Sequence, residues 1–513
     1  PIIHRRPMSA GATTEVPAIA AASMETKFRR GLWVATALSA LALLSYLGTS
    51  LWAQNSLSGP ESVVAAQSMM LAHDGTLYYD LNRYPYTVCA YMPIFYLLEA
   101  GLIKLGIAAL IAGRLVSFAA LLGLIAICRS LVLLYTGNRN AAWVAAILVA
   151  SSSLVGSWGS TGQVDTLAIL FAATAFYQYS RYHLRGESTL LAAGVFSALA
   201  VFTKQTAVAA PAAILILLFL RDRKRAFLFG GLWGASVLTA ALAINFALHG
   251  HFVANTVLAN ANPFSGEKFL TQVRYAGSVC GGLLVVVAAS FTKLVRGRGL
   301  APCVYLGLAA AAFLATAAKI GSDTNYQIEF AVLLAVCAAI GLHEADFFPL
   351  YFGGSKSWIT LLLLPVAVNV AVGLRVTAGT TLWRVAGDKL TQSQMAELKP
   401  LVAAKGGLVL STDYNAMTLL RGRLDVEPLI YQLLVGAKLV DPEPIRRDLA
   451  RAAFSTVILS EDVFQKQHYD NPEIATLVPE QLEEVRKHYR LVKHIPGPYL
   501  DGIYVYKPSS DAN

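Results

Sequence analysis

The chain alternates long apolar stretches with short charged clusters, and this pattern predicts a membrane protein built from many helices. A hydropathy window of about 19 residues, the length that crosses a bilayer, finds about eleven such stretches. We therefore predict an all-α polytopic membrane domain of about eleven transmembrane helices. The stretches cover residues 31–52, 109–134, 140–159, 164–181, 188–203, 206–220, 226–248, 276–293, 299–318, 327–343 and 357–376.

One further apolar segment, residues 92–107, is too short and too closely flanked by charge to be assigned as a span. The positive-inside rule decides its placement, because a segment that does not cross leaves every basic cluster on one side of the membrane. We therefore predict two helices on the outer membrane surface, at 58–74 and 92–107, and a cytoplasmic N-terminus. The basic clusters are KFRR at 27–30, Arg129 with Arg139, RYHLR at 181–185, RDRKR at 221–225 and KLVRGR at 293–298.

Beyond residue 377 the chain becomes charged and periodic. The runs GLVLST, STVILS and GIYVYKP predict strands, and the stretches 442–452 and 480–489 predict helices. We expect an extramembrane α/β domain at 377–513 on the outer face, after a transmembrane domain at 31–376 and a disordered cytoplasmic N-terminus at 1–30. Its sequence shows no Gly-rich phosphate loop and no nucleophile elbow, which favours a lid or an acceptor-positioning domain over a second active site.

Composition narrows the class of protein. With 513 residues, 56% of them hydrophobic and only 14% charged, the chain is too apolar for a set of soluble domains. The net charge of +10 resides in short clusters between apolar stretches, so membrane topology explains it better than nucleic-acid binding does. The five cysteines are widely spaced, which fits neither a disulfide framework nor a metal site.

Candidate chemistry comes from ionisable and polar side chains beside the spans, where a charge costs roughly a few kcal/mol and needs a reason. By the predicted topology they share the outer face. They comprise three carboxylates proposed for catalysis, Glu61, Asp80 and Asp165; three side chains proposed to bind a donor phosphate, Arg114, Lys204 and Gln205; and six proposed to line a substrate groove, Arg83, Tyr84, Tyr86, Asn325, Tyr326 and Glu329.

Each charged residue also has an ordinary structural role open to it. Asp165 can cap its helix, Lys204 can extend to the lipid headgroups, Arg114 can bind a lipid phosphate, and Glu329 can pair with a lysine. Their common side favours chemistry instead. A carboxylate can deprotonate an acceptor hydroxyl, while Lys, Arg or a carboxylate-bound metal stabilises a departing phosphate. Because the sequence shows no nucleotide-phosphate loop, we expect a lipid-activated donor.

Six motifs, in this order and spacing, resemble those of the GT-C membrane glycosyltransferases, of the bacterial type related to the lipid A aminoarabinose transferase and the protein O-mannosyltransferases. The resemblance covers about residues 30–345. The motifs are SGPESVV with Glu61, HDGTLYYDLNRYPYTVCAYMPIFYLL, AGRLVS with Arg114, GQVDTLAIL with Asp165, FTKQT with Lys204, and GSDTNYQIE with Asn325 and Tyr326.

The resemblance implies a GT-C-like fold and an inverting transferase that moves a sugar from a polyprenyl-phosphate donor to a lipid, glycan or protein acceptor. It places the enzyme in the bacterial inner membrane, with its site on the periplasmic face. Glu61 occupies the position of the family's catalytic carboxylate, but Pro60 precedes it where the family often has an acid, so Asp80 and Asp165 remain alternatives.

Two further points stay open at the level of sequence. A divalent cation, Mg²⁺ or Mn²⁺, is a candidate cofactor, although Asp165 lacks a second acid two residues before it. A transporter or flippase of a lipid-linked glycan is the alternative function, and the sequence shows none of the paired internal repeats typical of that class. The sequence identifies neither the sugar nor the acceptor.

Overall fold

The computed structural model describes residues 15–345, 363–402, 407–419, 431–465, 477–497 and 502–509. It is mostly helical, with a small sheet near the C-terminus. The helices of the first part are α1 (Glu15–Trp52), α2 (Gly59–Asp74), α3 (Pro93–Lys104), α4 (Ala109–Thr136), α5 (Arg139–Ala150), α6 (Ser153–Gly159), α7 (Val164–Arg185), α8 (Leu190–Thr203), α9 (Ala209–Arg221), α10 (Arg223–Ala247), α11 (His251–Thr256), α12 (Gly266–Arg296), α13 (Leu300–Ala317) and α14 (Ile328–Glu344).

Local sequence sets many of these helix ends. The side chains of Asn138 and Asp222 accept backbone N–H bonds at the starts of α5 and α10, which satisfies donors that the first turn leaves unpaired. Gly137 and Gly186 end α4 and α7 with positive φ angles of 64° and 69°, a conformation that glycine adopts without strain.

Every predicted apolar stretch coincides with a helix or with a bent pair of helices, apart from residues 357–362, which lie outside the described residues. Seven described helices are long and apolar enough to cross a membrane, and α5 with α6, bent by 64°, can form an eighth span. The prediction of a polytopic helical membrane fold is therefore confirmed, while the number of spans remains a prediction.

Two shorter apolar helices, α8 and α9, create a break inside the membrane domain. They contain 14 and 13 residues, and at 1.5 Å of rise per residue each is about 20 Å long. Because the hydrocarbon core is about 30 Å thick, neither helix crosses it alone. The turn between them, residues 204–208, therefore interrupts the apolar stretch.

Helix α14 lies at the centre of the membrane domain, since 83% of its span is buried by its neighbours. Helices α2 and α3 pack against each other and against α4. Both begin with proline in the first turn, where its missing N–H costs nothing. They match the surface helices predicted at 58–74 and 92–107, and neither has the length required of a span.

The later elements are α15 (Leu363–Val402), β1 (Leu408–Ser411), α16 (Tyr414–Leu419), α17 (Tyr431–Gly436), α18 (Glu443–Ala450), β2 (Phe454–Leu459), α19 (Pro479–His488), β3 (Tyr489–Ile495) and β4 (Ile503–Pro508). The strand order is β1-β2-β4-β3, with β1 parallel to β2 and the other pairs antiparallel. The three predicted strands correspond to β1, β2 and β4, whereas the sequence pattern did not reveal β3.

Two predicted boundaries differ from the structure. Residues 15–30 belong to α1 rather than to a disordered N-terminus, because they continue the first apolar span as one helix; residues 1–14 lie outside the described residues. The predicted boundary at residue 376 falls inside α15, which runs unbroken for 40 residues. One helix thus connects the membrane domain to the sheet.

Gly373 allows α15 to pack closely against the break between α5 and α6. A Cβ atom at residue 373 would lie 2.2 Å from the carbonyl oxygen of Ser151. We expect Gly373→Ala to destabilise the protein by about 1–3 kcal/mol, because the two helices must separate. Gly379→Ala on the same helix is the control, since nothing lies within 4 Å of its Cβ position. Thermal unfolding in detergent compares the two, and equal Tm values would contradict this packing.

Candidate active site

A cavity of about 370 Å³ lies among α7, the turn between α8 and α9, α13 and the start of α14. One end is polar and the remaining wall is apolar. The polar lining comprises Asp165, Lys204, Gln205, Asn325, Tyr326 and Glu329, and the apolar wall includes Val208, Ala309, Ala312 and Phe313. Six of the twelve residues predicted from the sequence therefore meet in one cavity.

Lys204 is the cation of this cavity. It follows the last residue of α8, in the turn between α8 and α9. Its side chain is 8% exposed, forms a salt bridge with Asp165, and lies 4.1 Å from the centre of the Tyr326 ring. The carboxylate and the face of the aromatic ring both stabilise a buried positive charge.

Asp165 is held in the first turn of α7, where the helix dipole favours a negative charge. Besides its contact with Lys204, both of its carboxylate oxygens accept from the Asn325 Nδ2 atom at 3.1 Å. The Asn325 Oδ1 atom is buried and has no hydrogen-bond partner. Such an unsatisfied acceptor costs free energy and is suited to receive a hydroxyl from a bound molecule.

A second carboxylate, Glu329, lines the same cavity and accepts a hydrogen bond of 2.6 Å from the Tyr305 hydroxyl. Tyr326 also lines a neighbouring polar pocket of about 80 Å³ together with Lys319. Burial, together with the nearby charge of Lys204, lowers the pKa of Lys319 to about 8. Two lysines, Lys204 and Lys319, therefore line the two cavities that share Tyr326.

Gln205 lines the cavity but does not suit the predicted role of binding phosphate. Its Nε2 atom donates to the carbonyl oxygens of Ala90 and Thr256, at 2.8 and 3.0 Å, so its donors hold two outer segments in place. The atom left without a partner is Oε1, a hydrogen-bond acceptor. Because a phosphate also accepts hydrogen bonds, this orientation of the amide does not favour phosphate binding, and the role of Gln205 stays a prediction.

Glu61 and Arg114 form a buried ion pair away from the cavity. Their side chains are 1% and 0% exposed, and two guanidinium nitrogens contact the two carboxylate oxygens at 2.9 Å. Backbone N–H groups of Gly162 and Leu57 also donate to Glu61, at 2.8 and 2.6 Å. Arg114 donates its remaining N–H groups to three backbone carbonyl groups, those of Ser50, Ala53 and Asn55.

These contacts affect the roles predicted for the two residues, catalysis for Glu61 and phosphate binding for Arg114. Burial raises the pKa of Glu61, but the charge and hydrogen bonds of Arg114 outweigh burial and hold the pKa below its ordinary value. A carboxylate so occupied takes up a proton poorly, and Arg114 has no N–H left for a donor phosphate. The pair instead fixes the loop before Asp165, because Gly162 lies three residues ahead of it.

The segment containing Asp80, Arg83, Tyr84 and Tyr86 lies against the sheet-bearing part of the chain, outside the lining of the cavity. Asp80 pairs with Arg83 at 3.4 Å in a solvent-exposed position. The Tyr86 hydroxyl donates to Asp448 at 3.0 Å, and Tyr84 and Tyr86 pack in the same apolar cluster as β2. The structure thus separates these four predicted residues from Asp165 and Lys204.

The sequence analysis missed two buried polar residues, Glu99 and Arg384, and the half-buried Lys319. Glu99 on α3 accepts from the Ser68 hydroxyl at 2.8 Å, Lys319 lies beside Tyr326, and Arg384 on α15 donates to Ser160 at 2.8 Å. An acid inside the short apolar segment 92–107 was a signal that could have revealed Glu99. Arg384 gave no such signal, since it lies in a charged stretch of the sequence.

A metal site is not evident in the part of the chain that the structure describes, where no group of three or more His, Cys, Asp or Glu side chains converges. At Asp165 the ammonium group of Lys204 occupies the position next to the carboxylate that a divalent cation would need. These residues do not fit a metal, so the chemistry below is argued without one.

Glu61→Gln is expected to lower the free energy of unfolding by about 3–5 kcal/mol, because it leaves the Arg114 charge buried without its partner. Asp80→Asn is the matched control, since its exposed pair with Arg83 contributes about 1 kcal/mol or less. Thermal unfolding measures both. If Glu61→Gln unfolds like the unchanged protein yet loses its activity, Glu61 is a catalytic base after all.

Glu99 gives a pH dependence of stability. Burial raises its pKa from the ordinary 4.5 to about 8, and nearby Glu61 adds to the shift. The folded state therefore keeps a proton that the unfolded state releases, so stability falls as pH rises from about 4.5 to about 8. Glu99→Gln should remove this fall, seen as similar Tm values at about pH 6 and about pH 8. Exposed Glu480→Gln is the control, and a persisting fall in Glu99→Gln would contradict the assignment.

Part of the chain matches the model of a known protein family. Residues 91–249 match the family model described as dolichyl-phosphate-mannose-protein mannosyltransferase. No curated protein sequence matches the chain significantly.

Solved structures extend the likeness over nearly the whole chain. ArnT from Cupriavidus metallidurans, bound to undecaprenyl phosphate, is 14% identical with a TM-score of 0.57, and the match covers 94% of this chain and 98% of that one. The apo oligosaccharyltransferase from Archaeoglobus fulgidus is 12% identical with a TM-score of 0.55, over 93% and 74% of the two chains. The chain thus has the GT-C fold that the resemblance implied. Residues 91–249 match a mannosyltransferase family. The prediction that the protein is a glycosyltransferase is confirmed.

Proposed function

We propose that the protein transfers a sugar from a polyprenyl-phosphate donor to an acceptor at the outer face of the membrane, with inversion at the anomeric carbon. The cavity around Lys204 carries this proposal. A lipid-linked sugar has a charged phosphate between a polar sugar and an apolar chain. The cavity likewise has a cation at its polar end and an apolar wall at membrane depth.

The comparisons support a donor of this kind. The ArnT structure of similar fold is bound to undecaprenyl phosphate, a polyprenyl phosphate. The family matched by residues 91–249 is described by a dolichyl-phosphate-linked mannose donor. Both are lipid phosphates with long isoprenoid chains, and the apolar wall formed by Ala309, Ala312 and Phe313 suits such a chain.

Lys204 binds the donor phosphate in the proposed mechanism. Its ammonium group contacts Asp165 in the structure, and an arriving phosphate, a stronger anionic partner, draws it away. The lysine stem is flexible enough for this movement. Lys319, on the other side of Tyr326, adds to the positive potential that attracts the phosphate.

Asp165 then acts as the general base. Released from Lys204, its carboxylate stays oriented by Asn325 and accepts the proton of the acceptor hydroxyl. The acceptor oxygen forms a bond to the anomeric carbon, the bond from that carbon to the phosphate oxygen breaks, and the electron pair leaves with the phosphate. Lys204 stabilises the developing negative charge. We prefer Asp165 to Glu61 because its carboxylate lines the cavity.

The orientation follows from the charge pattern of the loops. Basic clusters such as RDRKR at 221–225 follow α9, whereas Lys204 precedes it, and the positive-inside rule supports an outer-face position for the cavity's polar end. The outer face is periplasmic if the protein resides in a bacterial inner membrane. The sheet-bearing domain would then cover the site from the periplasm and help to position the acceptor.

Purified protein with a labelled polyprenyl-phosphate sugar and a cell-envelope lipid extract tests the proposal. Asp165→Asn should lower the rate of transfer about 10²- to 10⁴-fold because the base is lost, while donor binding persists. Lys204→Met should weaken donor binding about 10- to 100-fold because a charge-assisted contact is lost. Lys204→Arg should recover part of it.

Asp80→Asn serves as the control, because Asp80 is a carboxylate of the same outer side that lies outside the cavity lining. It should transfer normally. Full activity in Asp165→Asn, or loss of activity in Asp80→Asn alone, would overturn the assignment of the base. Movement of the labelled lipid across vesicles without covalent transfer would overturn the proposed activity in favour of a flippase.

A further inference from the structure

An apolar groove of about 380 Å³ runs between α9 and α10 on the lipid-facing surface. Its lining comprises Leu215, Ile216, Phe219, Leu220, Ala226, Phe227, Gly230 and Gly231. These residues lie near the adjoining ends of the two helices, whereas the cavity of Lys204 lies at the other end of α9. The groove is therefore separate from the candidate active site.

Small residues of α10 keep this groove open. A Cβ atom at residue 231 would have nothing within 4 Å, and one at residue 230 would meet Leu215 at 2.8 Å. Only 6% of the α10 span is buried by the rest of the protein, and the side chains of Leu220 and Phe227 are 74% and 71% exposed. The groove thus faces the lipid rather than another helix of the described chain.

Four cations stand where this groove ends: Arg221, Arg223, Lys224 and Arg225, all exposed to solvent. The Arg223 guanidinium lies 5.2 Å from the centre of the Phe219 ring, which lines the groove, so the charge lies directly at its mouth. The acid within this run, Asp222, pairs with Arg225 at 3.3 Å. The mouth of the groove therefore carries a clear excess of positive charge.

We infer that this groove binds an anionic phospholipid, with one acyl chain between α9 and α10 and the headgroup phosphate on Arg223 and Lys224. The apolar lining and the cations occur in the order, along the membrane normal, in which a phospholipid presents its chain and its phosphate. By the predicted topology the lipid comes from the cytoplasmic leaflet, where anionic headgroups attract such basic clusters.

Native mass spectrometry of the full chain released from nanodiscs tests this inference. The nanodiscs contain equal amounts of phosphatidylglycerol and phosphatidylcholine, and the readout is the number and type of lipids retained. The unchanged protein should retain phosphatidylglycerol preferentially. Gly231→Leu fills the groove and should remove the retained lipid. Arg223→Gln and Lys224→Gln should each weaken the preference about fivefold, the effect of about 1 kcal/mol for each cation.

Two control variants match these changes. Gly234→Leu adds the same side chain to α10 in open space, outside the groove lining, and Arg139→Gln removes a cation from the same membrane side. Both should retain phosphatidylglycerol like the unchanged protein. Equal loss in Gly231→Leu and Gly234→Leu, or equal weakening in Arg139→Gln and Arg223→Gln, would overturn the inference. So would a dimer that Gly231→Leu dissociates, because a second copy would then occupy the groove.

Discussion

The outer end of the membrane domain depends on the buried ion pair of Glu61 and Arg114. Two buried charges are costly, and they persist because both carboxylate oxygens and all five guanidinium N–H groups have partners. Those partners come from the end of α1, from α2, from α4 and from the loop before α7. The pair thus joins three segments that are distant in sequence: the connection from α1 to α2, helix α4 and the loop before α7.

The Glu61–Arg114 pair helps to fix the position of Asp165, which in turn pairs with Lys204. The amide of Gly162, bound by Glu61, precedes the turn in which Asp165 begins α7. Arg384 of α15 supports the same loop through Ser160 and the carbonyl oxygen of Ser157. Lys204 reaches Asp165 from the polar turn that separates α8 from α9. Glu61, Arg114 and Arg384 thereby support the loop that precedes Asp165, the residue proposed as the base.

The sheet-bearing domain fixes the first outer loop from the other side. Tyr86 binds Asp448, and Asn82 accepts from the backbone N–H of Asp441 at 2.7 Å. The loop that carries Asp80 is consequently a connection between two parts of the protein. An exposed acid there and a buried acid at Asp165 have the same chemistry in isolation, and only their surroundings give them different roles.

The sequence by itself determined the helices of the membrane domain and three of the four strands, and it predicts the side of the membrane on which the polar residues lie. These features follow from periodicity and charge within short windows, so no distant contact is needed to predict them. Strand β3 escaped because five of its seven residues are exposed, which removes the alternation that marks a half-buried strand.

Only the tertiary structure decided which of the predicted residues meet. The partners Glu61 and Arg114 are 53 residues apart, Asp165 and Lys204 are 39 apart, and Asp165 and Asn325 are 160 apart. Helix packing sets these distances, and it also decides whether a carboxylate is saturated by an arginine or opens into a cavity. The sequence predicts three acids on one face of the membrane, and packing pairs Glu61 with Arg114, pairs Asp80 with Arg83 near the surface and brings Asp165 to the cavity.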